Sequence, residues 1–200
     1  QATNWTTLSA GVLANLAAGI FILPFFLFSA TAGQLADKYD KALLSRIVKL
    51  LEISIMLLAG VGFALHSLII LLSALFLFGV HSTLFGPVKY AILPQHLKEE
   101  ELVGGNALVE AGTFVAILIG TLIGGLLAGL DHGTVWITVI GLLVALAGYL
   151  ASRKIPTAPA PAPQLNVCFN PFTETWRNII FARENRTVFL SILGISWFWL

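Results

Sequence analysis

Five apolar runs, each near 20 residues long, alternate along this chain with short polar turns. A helix needs about 20 apolar residues to cross the roughly 30 Å hydrocarbon core of a bilayer, so each run predicts one transmembrane helix. No charge occurs from Gln1 to Ala36, and the first helix is expected over residues 11–36, kinked at Pro24. The turn Asp37-Lys38-Tyr39-Asp40-Lys41 leads to a second helix over 43–65. A short loop at His66-Ser67 precedes a third over 68–88, which closes at Gly86-Pro87-Val88-Lys89. A polar connection from Gln95 to Glu101 leads to a fourth helix over 106–130. The turn Asp131-His132-Gly133 then opens a fifth over 135–150.

After Arg153-Lys154 the pattern changes. Ile155-Pro156-Thr157-Ala158-Pro159-Ala160-Pro161-Ala162-Pro163 reads as an extended, semi-rigid linker. Residues 170–186 mix Trp176, Ile179, Ile180 and Phe181 with Glu174, Arg177, Arg183, Glu184 and Arg186, the pattern of a short amphipathic helix on a membrane face. From Thr187 the chain is apolar again for its last 14 residues, too few to span, so this is the expected start of another helix. Three segments result: membrane helices over 1–154, a linker with its amphipathic segment over 155–186, and the opening of a further span over 187–200. Both ends read as truncations of a longer protein, since the chain opens without methionine and stops inside an apolar run.

Composition sharpens this reading. Charged residues make up 10% of the chain, against about 25% in an ordinary soluble domain, so a water-facing globule is excluded. A net charge of +1 without a concentrated basic face argues against a nucleic-acid partner. The single cysteine, Cys168, excludes an internal disulfide and reads as a bystander in the linker.

Charge placement sets orientation. All eleven basic residues fall on one side of a five-helix zigzag. Lys38, Lys41, Arg46 and Lys49 flank the first loop, Lys89 and Lys98 the third, and Arg153, Lys154, Arg177, Arg183 and Arg186 the fifth. The positive-inside rule makes that side cytoplasmic.

Three groups of residues are candidates for function. In Gly33-Gln34-Leu35-Ala36-Asp37-Lys38-Tyr39-Asp40-Lys41, glycine permits close helix approach, and the Asp37 carboxylate can latch on to N–H groups or basic side chains. A plain polar turn is the alternative. On the fourth helix Gly112, Ala116, Gly120, Gly124 and Ala128 recur every four residues, an expected packing stripe. Ionisable groups within the apolar runs form the third set, because charge is expensive there and faces a cavity or a partner. Arg46, Lys49 and Glu52 step along one face of the second helix, where Lys49 and Glu52 are also spaced to pair. Lys89 closes the third helix and Glu110 lies one turn into the fourth. The two can approach one cavity, although Lys89 can also reach the interface alone.

The loop resembles the cytoplasmic signature of the major facilitator superfamily, Gly-x-x-x-Asp-Arg/Lys-x-Gly-Arg/Lys-Arg/Lys. Gly33, Asp37, Lys38 and Lys41 match, Asp40 replaces a glycine and Ala42 a base, which weakens the positive side of the latch. Gly120-Thr121-Leu122-Ile123-Gly124-Gly125 resembles the superfamily's helix-five motif with Thr121 in place of proline, and antiport is not inferred from it. The resemblance implies an all-α, polytopic transmembrane fold, namely helices 2–6 of the N-terminal bundle and the start of helix 7.

A closer resemblance is carried by Phe85-Gly86-Pro87-Val88-Lys89-Tyr90-Ala91-Ile92-Leu93-Pro94 and Leu102-Val103-Gly104-Gly105-Asn106-Ala107-Leu108-Val109-Glu110-Ala111. These are similar to the paired motif of the lysophospholipid transporter family, Pro-x-Lys-Tyr-Gly-Ile-Leu and Asn-Gly-Leu-x-Glu. Ala91 and Ala107 stand where the family has glycine. The wording is nearest to forms fused to a glycerophospholipid acyltransferase and an acyl-carrier-protein ligase. The resemblance implies a multi-pass protein of the Gram-negative inner membrane that moves lysophospholipid by alternating access. Its implied partners are membrane lipid, the missing C-terminal half and a re-acylating enzyme. Lys89, Glu110 and Asn106 are the implied substrate residues: Lys89 suits a phosphate and Glu110 an ammonium group. A membrane anchor for a fused acyltransferase, or a facilitator for another amphiphile, remains the alternative.

No enzyme is expected within these residues. No histidine among His66, His81, His96 and His132 has an aspartate five residues on, as a glycerophospholipid acyltransferase requires. Neither a nucleophile elbow nor a phosphate-binding loop occurs. The histidines are scattered and read as loop or snorkelling residues, so no metal or cofactor is expected.

Overall fold

A computed structural model describes residues 5–198. Gln1 to Asn4 and Trp199-Leu200, which the sequence reading counts in its first and last segments, lie outside the described residues. The described residues are helical, without strands. Five helices are long and apolar enough to cross a membrane. They are α1 (Ala10–Lys38), α2 (Lys41–Ala64), α3 (Leu68–Ala91), α5 (Leu102–Ala128) and α6 (Gly133–Ser152). A single turn, α4 (Leu93–His96), and a 3-10 turn over Glu99–Glu101 join α3 to α5. Beyond the linker come α7 (Pro171–Glu184) and α8 (Arg186–Phe198).

Local chemistry explains the ends. Ser9, Asp40, Ser67 and Asn170 each cap a helix with a side-chain oxygen that accepts from the first turn. The Asp40 cap starts α2 at Lys41, two residues ahead of the expected start. Helix α3 runs through Pro87 to Ala91 because proline suits helical φ and removes only one backbone bond, a loss confined to the last turn. At the head of α5, Glu101 accepts from the Lys98 N–H at 2.9 Å, and the helix begins four residues before Asn106.

Packing is uneven. Helix α1 lies along α3, and α2 fills the groove between α3 and α6. Ile55, Ala59 and Ala74 form the centre of the core, with Leu51, Leu58, Leu77 and Phe78 around them. Helices α1 and α3 come into close backbone approach at Gly79, where a Cβ would collide with the Phe21 carbonyl oxygen and stand 2.8 Å from the Pro24 ring. Helix α5 buries none of its residues and meets the body mainly along α6.

Candidate functional site

Three polar assemblies interrupt the apolar body. The first joins the C-terminal end of α3 to the N-terminal part of α5. Lys89, in the last turn of α3, donates through Nζ to Thr113 Oγ1 at 3.3 Å and lies 4.8 Å from the Tyr90 ring centroid. The Tyr90 hydroxyl donates to Glu110 Oε1. Thr113 in turn donates to the Val109 carbonyl, so its hydroxyl proton is committed and its oxygen is left to accept from Lys89. The result is a four-residue bridge of alternating charge and hydroxyl, Lys89–Thr113 beside Tyr90–Glu110. Lys89 and Glu110 do not form an ion pair with each other among the described residues. Asn106 stays out of the bridge: it is exposed, and its amide donates to the Leu102 carbonyl of its own helix at 2.8 Å. Thr113 was not legible as a site residue. Its only signal is the 3-residue step from Glu110 on one helix face.

The second assembly lies over the α1–α2 loop. The Pro/Ala linker does not hang free; it is a strap bonded across the ends of α1, α2 and α4. Arg46 donates to the Ile155 carbonyl at 3.3 Å, and Gln95 to that of Pro159 at 3.1 Å. Ala158 is held at both backbone groups, its N–H by Asp40 Oδ2 at 2.9 Å and its carbonyl by the Lys41 N–H at 2.9 Å. Cys168 is held likewise by the Gln34 amide, at 2.8 and 3.2 Å. These bonds place the basic loops of the chain together on one face.

The residues proposed for the latch have the following contacts. Asp40, which was expected to weaken the latch, anchors the strap: Oδ1 caps Leu43 and Oδ2 holds Ala158, two tasks glycine cannot perform. Gly33 makes no close approach, since a Cβ there meets nothing within 4 Å. Asp37 contributes its backbone carbonyl, which accepts from the Ala162 N–H at 3.0 Å. The Asp37 carboxylate has no hydrogen bond or ion pair among the described residues. It lines a cleft of about 600 Å³ together with Gln34, Glu174, Arg177 and Glu184. Lys38 lies against the ring of its neighbour Tyr39. Lys41 is buried, and its ammonium has no hydrogen-bond partner among the described residues. Cys168 is held through its backbone, and its thiol is free.

The third assembly lies within the membrane-spanning part. Lys49 and Glu52 pair as their spacing predicts, Nζ to Oε2 at 2.7 Å. Arg46 leaves that face for the strap. His81 joins instead, with Nε2 at 3.4 Å from the same Oε2, an ion-pair distance without the alignment of a hydrogen bond. It is a buried residue in the middle of α3, not the loop or snorkelling residue that its isolation in the sequence implied. The cause is tertiary: α2 presents a carboxylate where α3 presents the imidazole. His66 and His132 do sit in turns, both with left-handed backbones.

Among the described residues the expected stripe on α5 meets no neighbouring helix closely. A Cβ at Gly112, Gly120 or Gly124 meets nothing within 4 Å, and Ala116 and Ala128 are exposed.

Comparison with known proteins agrees with this architecture. The lysophospholipid transporter LplT of Serratia proteamaculans is 30% identical over 181 residues, covering 90% of this chain and 43% of that protein. Those of Enterobacter sp. and Klebsiella pneumoniae are also 30% identical, over 182 and 191 residues, again with 90% of this chain and 44% of theirs. The chain thus spans less than half the length of the curated relatives it matches. No solved structure matches it significantly. A family model described as Major Facilitator Superfamily matches residues 2–200, and with that match the helical, multi-pass membrane chain described here belongs to that superfamily.

Proposed function

We propose that this chain is the first-half bundle of a transporter that moves lysophospholipid across the bacterial inner membrane by alternating access. Its basic loops face the cytoplasm, where a re-acylating enzyme receives the lipid. The α3–α5 bridge carries the reading. It brings together the two halves of the paired motif, Lys89 with Tyr90 and Glu110, which stand 20 residues apart in sequence for the Tyr90–Glu110 bond. A lysophospholipid head offers a phosphate and, in the ethanolamine form, an ammonium group. Lys89 held on a neutral threonine and Glu110 held on a phenol are only partly satisfied charges, each able to exchange a weak partner for an ionic one. The curated relatives are named for lysophospholipid, which agrees with this chemistry.

The test is uptake of lysophosphatidylethanolamine by spheroplasts carrying the full-length parent. Lys89→Ala and Glu110→Gln are expected to abolish uptake at unchanged expression, while Tyr90→Phe and Thr113→Val reduce it without abolishing it. The charge swap Lys89→Glu with Glu110→Lys should fail as well, because a head-group has a fixed order of charges. Transport recovered in the swap would overturn recognition by these two residues.

A further inference from the structure

The Pro/Ala linker has the composition of a spacer, yet it is held to the first-half bundle at both ends and between them. Its bonds run from Arg46 on Ile155, through Asp40 and Lys41 on Ala158 and Gln95 on Pro159, to the Asp37 carbonyl on Ala162 and Gln34 on Cys168. Ala158 is fully buried, so the strap is packed as well as bonded. Pro156, Pro159, Pro161 and Pro163 fix φ along it. A segment stiffened in this way transmits movement and does not absorb it.

The attachment continues into α7. Asn170 caps this helix and Pro171 opens it, directly after the Cys168 clamp. Helix α7 packs on α1, and Glu174 is buried in the cleft with Gln34 and Asp37, where Arg177 donates to it at 3.3 Å. Helix α8 is different. None of its residues from Arg186 to Trp197 is buried, and a cleft of about 290 Å³ lies between its Phe189 and Ile192 and the Ser29 and Ala30 of α1.

One residue stands between α7 and α8. Asn185 has φ −111° and ψ 106°, in the extended region, and breaks an otherwise continuous helical run. Its Oδ1 accepts from the Thr187 and Val188 N–H groups at 3.0 and 3.3 Å, so its side chain travels with α8. Across the junction the Arg183 guanidinium lies 6.0 Å from the Phe189 ring centroid, the outer limit of a cation–π contact, which tolerates a change of angle. Hinges have this form: a residue at an element end absorbs the φ/ψ change while both neighbours stay rigid.

We propose that the strap and α7 move with the first-half bundle as one body, and that Asn185 is the joint about which α8 turns, together with the second bundle it opens. The inference rests on the transporter reading for that second bundle alone. The Pro/Ala segment is then a splint, and not the flexible connection that its place in the sequence implies.

The test uses the full-length parent in lipid nanodiscs, with Cys168→Ser, which leaves the backbone clamp in place, and pairs of spin labels read by pulsed EPR. One label stays at Leu57→Cys, an exposed position on α2. The other is placed in turn on the strap at Pro161→Cys, on α7 at Trp176→Cys and on α8 at Ile195→Cys, all exposed. The first two distances are expected to give one narrow peak each. Ile195 lies about 15 Å along α8 from Asn185, so a rotation of about 15° shifts its label by about 4 Å and splits or broadens the third distribution. Strap or α7 distances that spread together with the α8 distance put the joint upstream and overturn the inference. A single narrow peak for all three overturns it too. Asn185→Ala removes the cap and favours a continuous helix, so it should return the α8 distance to one peak. An undiminished spread in that variant overturns Asn185 as the joint. None of these distances depends on the lipid carried. Lysophosphatidylethanolamine uptake that fails beside a split α8 distance therefore leaves the joint standing and counts against the lipid reading alone.

Discussion

Helices α2 and α5 are close in length and alike in apolar character, yet they have opposite fates. Helix α2 buries seven residues, among them Ile55, Ala59 and Gly62, and its seam with α3 excludes even a methyl group: a Cβ on Gly62 would stand 2.9 Å from Leu71. Helix α5 has the longer run of small residues and buries none. In lipid, where apolar surface has no reason to leave its surroundings, association rests on close packing and polar contacts. A stripe of small residues thus shows that a helix can be approached. Whether one approaches it is a property of the neighbour. The polar contacts differ too, because α2 is tied by the strap and by His81, whereas α5 is tied to α3 through Thr113 and Glu110.

The largest expected effect tests the buried side. Gly79→Leu should destabilise the bundle by about 3 kcal/mol or fail to fold, because its new atoms run into the α1 backbone and the Pro24 ring. Thermal melting in detergent measures it, and wild-type melting would mean that α1 and α3 do not touch there.

Asp40→Ala comes next, at about 2 kcal/mol, since one carboxylate serves both the α2 cap and the strap. Limited proteolysis should then cut the linker near Ala158 sooner than in the wild type. Asp37→Asn, by contrast, should leave melting unchanged while slowing transport, because the Asp37 carboxylate holds nothing in this arrangement. Loss of stability in that variant would show that the latch is already closed.

Gln34→Ala is smaller, about 1 kcal/mol, and has a convenient reporter in the single cysteine that Gln34 clamps. Maleimide labelling of Cys168 should speed up about fivefold. An unchanged rate would mean that the strap opens without releasing Gln34.

The smallest effect is expected at Gly120→Leu in the chain by itself, under about 0.5 kcal/mol, for want of a neighbour. The same substitution in the full-length parent should lower the yield of folded protein if the stripe is a seam. Equal yields would make it a lipid-facing surface, and the contrast between α2 and α5 would lie in the membrane and not in missing contacts.

The number of spans, their order and the amphipathic character of α7 were legible from residues alone, because transfer into a bilayer depends on apolar length and hardly on neighbours. The Lys49–Glu52 pair was legible for a related reason: both partners lie on one helix, 3 residues apart, and helical geometry brings them together. Contacts between helices were not. His81 looked idle because its carboxylate partner is on α2. Asp40 looked like a defect because the Ala158 N–H it binds is 118 residues away, and Gln34 looked neutral although it clamps Cys168 across 134 residues. The Lys89–Thr113 and Tyr90–Glu110 bonds depend in the same way on how α3 and α5 lean together. Sequence by itself determined which segments enter the membrane, since that follows from composition summed along the chain. Only the tertiary structure decided which buried charges meet and which glycines are crowded, since each is set by the side chains that a neighbouring helix brings within a few ångströms.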